Sequence, residues 1–361
     1  MIEQNILQPG QSIKPEVTKD ASKTMIKDLY SLNCDSIKEL NGYDDKNYIV
    51  SVTSVTDNAY IEKISESGYV LKILNSLDSK NPCFIEAQTS LLIFLNENNV
   101  HCPKPVKNKY GQYFYTKKLQ SGYHIIRLLE FIPGKLLHEI PVSNNLSFEI
   151  GIFVGKLDKI LQGFDNPVYQ SHSSIWMLNS VPRLKEFTFA IKEDNKLQVF
   201  LNIINNYEEK VLKNYDKFRK GLIHGDINEQ NLIVDGNSDT GWFVSAIIDF
   251  GDSHYSCYLF EIAIAMTYIM LTTKTLESGG FVLAGYLQNV KLSDLELSLL
   301  KICIEARLTQ SLMLGAYSFL KDPENHYILT TAREGWNLLE RLRSKPDEEL
   351  LKTWRNVLDI Y

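Results

Sequence analysis

Apolar and polar residues alternate in four short stretches of the first 131 positions, and a period of two predicts strands. "NYIVSVTS" (47–54) sets Tyr48, Val50 and Val52 on one side, and "YVLKILN" (69–75) alternates around Lys72. "QYFYTKKL" (112–119) and "YHIIRLLEF" (123–131) form a second pair. Turn signals at Asp57-Asn58 and Ser67-Gly68 separate the first two, which predicts an antiparallel meander. One helix interrupts it at 81–99: Asn81 caps it, Pro82 fits its first turn and Asn98-Asn99 end it. Its apolar stripe runs through Ile85, Leu91, Leu92 and Leu95, with Glu86 at the edge. The polar segment 1–23, with Pro9, Gly10 and Pro15, reads as a loose arm.

After "IPGK" (132–135), whose Pro-Gly predicts a hinge, the pattern turns helical. Helices are expected over 145–163, 181–192, 196–219, 255–273, 293–320 and 326–343. The expected architecture is therefore α+β, with an antiparallel-sheet region over 1–132 and a mostly helical region over 133–361.

Two short apolar runs break the helical half, "LIHGDINEQNLIV" (222–234) and "AIIDFGD" (246–252). Each ends in charged or amide side chains: Asp226 and Asn231, then Asp249 and Asp252. The D-x-x-x-x-N spacing leaves room for a loop whose two ends face one pocket. Asp226 can accept a hydrogen bond from an incoming hydroxyl, and Asn231 with Asp249 offers the hard oxygen pair that suits Mg²⁺. Phosphoryl transfer needs that layout, because its loose transition state asks for positioning and charge neutralisation rather than covalent help. Taken singly, each of these residues would more simply cap a turn.

Composition narrows the class. The chain has 361 residues, 44% of them hydrophobic and 23% charged, as in an ordinary globular protein of one large domain or two lobes. A net charge of −6 argues against a nucleic-acid partner. Cysteines 34, 83, 102, 257 and 303 are scattered without a C-x-x-C pair, as expected of reduced thiols in the cytoplasm. The first residues carry no secretory signal, and "LFEIAIAMTYIML" (259–271) is too short to span a bilayer, so no membrane partner is expected.

The combination of "HGDINEQN" with "IIDFGD" resembles the protein-kinase-like fold. Gly225, where protein kinases carry arginine, points to the aminoglycoside phosphotransferase and choline kinase branch. Within that branch, "HGDINEQNLIVD", "IIDFGDSHYSCYLFEIAIAM" and "ARLTQSLMLGAYSF" resemble the hydroxylysine kinase group, from "GYDDKNY" (42–48) onward.

The resemblance implies a bilobal enzyme with Mg²⁺ as cofactor and GTP, or ATP, as phosphate donor. Its acceptor would be 5-hydroxy-L-lysine, with a place in lysine breakdown. Asp226 would be the catalytic carboxylate, and Asn231 and Asp249 the metal ligands. Lys72 would contact the α/β-phosphates, held by an ion pair to Glu86. Tyr43, Asp44 and Asp45 would form the turn over the phosphates, and Glu130 to Ile132 the base-side hinge. His224 and Glu261 would be structural. The lysine that protein kinases place two positions after the catalytic aspartate is here Asn228. For the acceptor, the candidates are Trp176, Asp252, Glu305, Arg307 and Tyr317, Arg307 pairing with a substrate carboxylate and the acids with its amines. Alternatives are a sister kinase acting on choline, homoserine, methylthioribose or an aminoglycoside, or an inactive kinase-like binding module.

Overall fold

The computed structural model describes residues 6–321 and 332–358, which divide into two units, 1–133 and 134–361. The first contains α1 (Lys19–Tyr30), β1 (Leu32–Leu40), β2 (Lys46–Val55), β3 (Tyr69–Ile73), α2 (Pro82–Glu97), β4 (Pro105–Val106), β5 (Phe114–Leu119) and β6 (Gly122–Glu130). Its sheet has the order β1-β2-β3-β6-β4, with β5 also on β6, and the pairs are antiparallel. Tyr69, Leu71 and Ile73 share a core with Tyr48, Val50, Ile126 and Leu128, closed by Met25, Ile26, Leu29 and Tyr30 of α1. Each such aliphatic side chain contributes about 1.5–3 kcal/mol on burial. Strand alternation puts Lys72 on the other face, directly opposite Arg127 of β6.

Helix α1 starts where a loose arm was expected. The Thr18 hydroxyl accepts the Ala21 N–H at 3.2 Å, so residues 19–23 are its first turns. Ile6, Leu7 and Ile13 are buried, and the Ile13 carbonyl accepts the Ser76 N–H at 2.9 Å. These apolar positions are too sparse in a polar stretch to show a period. Residues 1–5 of the expected arm lie outside the described residues.

The second unit contains β7 (Lys135–Leu136), α3 (Asn144–Leu161), α4 (Val168–Ser171), α5 (Asp194–Lys210), β8 (Lys220–Ile223), β9 (Leu232–Asn237), β10 (Gly241–Ile247) and β11 (His254–Cys257). It continues through α6 (Tyr258–Thr273), α7 (Glu277–Leu287), α8 (Asp294–Ser298), α9 (Leu300–Lys321), α10 (Ala332–Ser344) and α11 (Asp347–Leu358). Small ladders, β10-β9-β7 and β11-β8, carry the motif residues at their ends. The expected helix over 181–192 is instead a 3₁₀ segment, Leu178–Ala190, because Pro182 withholds an α-helical donor. The one over 196–219 stops at Lys210, and the one over 255–273 begins at Tyr258 because 254–257 form β11. Of the helix expected over 326–343, residues 326–331 lie outside the described residues. No helix among the described residues is long and apolar enough to cross a membrane.

Helices α3 and α7 touch backbone to backbone. A Cβ on Gly151 would lie 2.0 Å from the Val282 carbonyl oxygen, and one on Gly285 2.0 Å from that of Phe148. Gly151→Ala is expected to cost about 1–3 kcal/mol through overpacking, lowering Tm by several degrees. A thermal melt identical to wild type would show that the helices can part without penalty.

Candidate active site

The strands β8 and β9 are joined by the loop His224–Asn231, and β10 runs out into Ile248-Asp249. The Ile248 N–H donates to the Asn231 carbonyl at 2.9 Å, which fastens the two motif pieces together. Gly225 has φ +79°, and a Cβ there would press on the Asp252 carbonyl oxygen at 2.6 Å and the His254 ring at 3.0 Å. Glycine is needed at this position on both counts.

Both oxygens of Asp226 are engaged. Oδ1 accepts from Arg307 Nη2 at 2.7 Å; Oδ2 accepts from Asn228 Nδ2 at 2.9 Å and Asn231 Nδ2 at 2.8 Å. The Asn231 amide nitrogen also donates to the Asp226 carbonyl at 3.0 Å, which fixes the amide orientation and turns Oδ1 away from the loop. Asn228, where protein kinases carry a lysine, is thus a donor to the carboxylate. Its own Oδ1 accepts the N–H groups of Gln230 and Asn231.

Two buried residues hold this loop from beneath. His224 is kept neutral mainly by burial, which pushes its pKa down against the charge of Asp226. Its Nε2–H donates to the Ile248 carbonyl at 3.1 Å, so Nδ1 is free to accept the Asp226 N–H at 3.2 Å. Glu261, in the first turn of α6, accepts the N–H groups of His224 at 2.8 Å and Gly225 at 2.9 Å, one on each oxygen.

Asp249 is exposed and left-handed, at φ 62° and ψ 76°, a conformation that costs an aspartate about 1–3 kcal/mol. Among the described residues no group of three His, Cys, Asp or Glu is disposed to hold a metal. Asn231 spends its amide nitrogen on Asp226 and keeps Oδ1 as an acceptor, and this oxygen with the exposed Asp249 carboxylate fits the chemistry of Mg²⁺, which takes few protein ligands.

Of the acceptor candidates, two lie with Asp226. The Trp176 carbonyl accepts from Arg307 Nη1 at 3.0 Å, and its ring centroid lies 5.6 Å from the guanidinium carbon. Asp252 accepts a long 3.5 Å contact from the Ser174 hydroxyl, while its carbonyl accepts from His254 Nδ1 at 2.7 Å. Burial, foremost, holds the His254 pKa down to about 4, so the ring is a neutral donor there.

The other three differ from expectation. Arg307 is buried, and its guanidinium is occupied by Asp226, the Trp176 carbonyl, Gln310 Oε1 and the Tyr268 hydroxyl. It is a clamp on the Asp226 carboxylate rather than a waiting partner for a substrate. Glu305 lies two residues away on α9, hence on the opposite side of the helix, among Lys301, Arg343, Asp347 and Lys210. Tyr317 is ten residues, about 15 Å of helix, beyond Arg307. Its ring stands edge-on to Phe187 and Phe189.

In the first unit, the turn 42–45 is tethered to the end of β3. Asp45 Oδ1 accepts the Asn75 N–H at 2.8 Å and its Nδ2 at 3.1 Å, and Asn75 Nδ2 also donates to Asp78 at 2.6 Å. Tyr43 and Asp44 occupy the same turn. Lys72 is buried on β3, whereas Glu86 is exposed on α2. The helix turns Phe84, Ile85, Ala87 and Gln88 inward and leaves Glu86 outside. The carboxyl lying in the fields of Arg127 and Lys72 is that of Asp78, on the turn after β3. The Glu130 N–H is taken by the Lys104 carbonyl at 2.8 Å, and Ile132 is buried just beyond it.

A model of the phosphotransferase enzyme family matches residues 38–289. The hydroxylysine kinase of Xenopus laevis is 34% identical over 363 residues, covering 96% of each chain. A microcompartment-associated aminopropanol kinase superposes with a TM-score of 0.69 at 18% identity, over 92% of this chain and all of its own. A GDP complex of an aminoglycoside 2'-phosphotransferase-IIIa mutant superposes with a TM-score of 0.60 at 17% identity, over 91% and 98%. The antiparallel sheet followed by a helical unit is the protein-kinase-like fold, and the reaction is phosphoryl transfer to a hydroxyl group. With its Asp226 loop and this full-length similarity to hydroxylysine kinases, the chain belongs to the phosphotransferase enzyme family.

Proposed function

We propose that this protein transfers the γ-phosphate of GTP or ATP to the side-chain hydroxyl of 5-hydroxy-L-lysine. The observation that carries the reading is the Asp226 carboxylate, held by Arg307, Asn228 and Asn231 in a chain similar throughout to hydroxylysine kinases. Asp226 receives the hydroxyl and takes its proton as the oxygen attacks in line. A carboxylate already fixed in place needs no reorganisation at that moment. Asn231 and Asp249 would hold Mg²⁺, which supplies charge neutralisation at the phosphates. In the first unit, Lys72 would contact the α/β-phosphates of the nucleotide and backbone groups from Glu130 to Ile132 its base.

For the acceptor, Asp252 and the Trp176 ring are the groups suited to an ammonium. Asp226 and Asp252 both bear on Arg307, so the carboxylates there outnumber the guanidinium and a cationic acceptor is favoured. GTP as donor is compatible with the GDP held by an aminoglycoside phosphotransferase of the same fold.

The test is a phosphoryl-transfer panel of hydroxylysine, choline, homoserine, methylthioribose and an aminoglycoside, each with ATP and GTP. Hydroxylysine should give the highest kcat/KM, and Asp226→Ala should abolish turnover. Preference for another acceptor would sink the substrate, and turnover surviving in Asp226→Ala would sink the catalytic assignment.

A further inference from the structure

Beneath the Asp226 loop lies a second carboxyl that the chemistry above does not use, Asp158 on α3. It and Glu261 are both fully buried, and each bears electrostatically on the other. Their surroundings differ. Glu261 has a backbone N–H on each oxygen. Asp158 has the Tyr286 hydroxyl of α7 on Oδ2 at 2.6 Å, while its Oδ1 is buried with no hydrogen-bond partner.

An ionised Asp158 would leave half of a buried charge unsolvated, which is far more costly than leaving a neutral carboxyl oxygen bare. The other titratable groups facing the pair bring Asp158 no cation. They are Tyr286 on α7 and Tyr258 on α6; Asp226 and Arg307 bear on Glu261 from the loop and α9. Two anions this close and this dry do not both ionise, and the one with two donors keeps the charge.

We propose that Asp158 is the protonated member of the pair, and that its proton is what allows Glu261 to remain an anion gripping the His224 and Gly225 N–H groups. Asp158 is then a positioning residue, acting on the catalytic loop through Glu261. Burial pushes the Asp158 pKa well above its ordinary value; it also raises that of Glu261, to about 7, but there the two backbone donors and Arg307 pull the other way.

The sign of the linkage follows. The folded protein keeps a proton that the unfolded chain releases above about pH 4, so this stability contribution falls as pH rises toward the folded pKa. Asp158→Asn removes that dependence. The expected result is a kcat within about twofold of wild type. The Tm difference, variant minus wild type, should also grow from about pH 5 to pH 8. Glu261→Gln, which sets an amide N–H against a backbone donor, should lose about tenfold or more in kcat. An Asp158→Asn variant as impaired as Glu261→Gln, or a Tm difference that is flat with pH, overturns the proposal. If Asp158→Asn does not fold, the infrared difference spectrum of wild type minus Glu261→Gln at neutral pH decides the matter. No protonated-carboxyl band lost with Glu261 supports the proposal, because Glu261 was then the anion, and loss of such a band refutes it.

Discussion

Asp226→Asn is expected to lower kcat by roughly 10²–10⁴-fold, the range that a positioned acid–base group contributes. The KM for nucleotide should barely move. The isosteric change is harsher than it looks. Oδ1 faces the Arg307 donor and Oδ2 faces the amides of Asn228 and Asn231, so an NH₂ group meets a donor in either slot. The variant therefore loses the base and also loosens the loop. Asp226→Ala would go further in stability, because it leaves Arg307 buried without its carboxylate. Single-turnover assays beside thermal melts separate the two effects; a kcat within tenfold of wild type in a well-folded Asp226→Asn would rule out its role.

Arg307→Met is the second large effect. Its guanidinium is almost wholly buried, with 2% of the side chain exposed against 21% for Asp226. Breaking such a pair by removing one partner costs about 3–5 kcal/mol, and the Trp176 carbonyl and Gln310 lose a donor as well. We expect Tm to fall by roughly 6–20 °C, using 2–4 °C per kcal/mol for a unit of this size. The kcat should fall while the KM for the acceptor changes little. Arg307→Lys should recover little, because a point ammonium cannot span four acceptors set in a fork. If acceptor KM rises while kcat and Tm hold, Arg307 contacts substrate and the clamp is secondary.

The parts of the site that could be read from the sequence were those in which chemistry and spacing are local. Asp226, Asn231, Asp249, His224 and Glu261 sit in phrases short enough to carry their own geometry. Arg307 was noticed, but its partner lies 81 residues back in the chain, and no period links them. Glu305 and Arg307 are both acceptor candidates by residue type, yet two positions apart on a helix they point to opposite sides. The pairing of Glu86 with Lys72 comes from the resemblance alone, and helix phase, which sets Glu86 outside while Phe84, Ile85, Ala87 and Gln88 turn inward, is not local to the motif.

In the fold, β3 and β6 showed themselves by alternation, while α7 did not. Its "ESGGFVLAGYL" has three glycines, which weaken a helix in isolation. Those glycines become intelligible only once Gly285 is seen against the α3 backbone. Propensity argued against the helix, and tertiary contact overrode it.

The way α9 grips the loop ahead of the 3₁₀ segment bears on how acceptor choice evolves. Arg307 and Gln310 hydrogen-bond the carbonyls of Ile175, Trp176 and Met177, and the Trp176 ring adds a cation–π contact 5.6 Å from the guanidinium carbon. Main-chain carbonyls survive a side-chain substitution, so replacing the half-buried Trp176 would forfeit its ring contact with Arg307 but keep every hydrogen bond of the grip on Asp226. New specificities are therefore open to selection one residue at a time, on a catalytic frame that does not have to change with them.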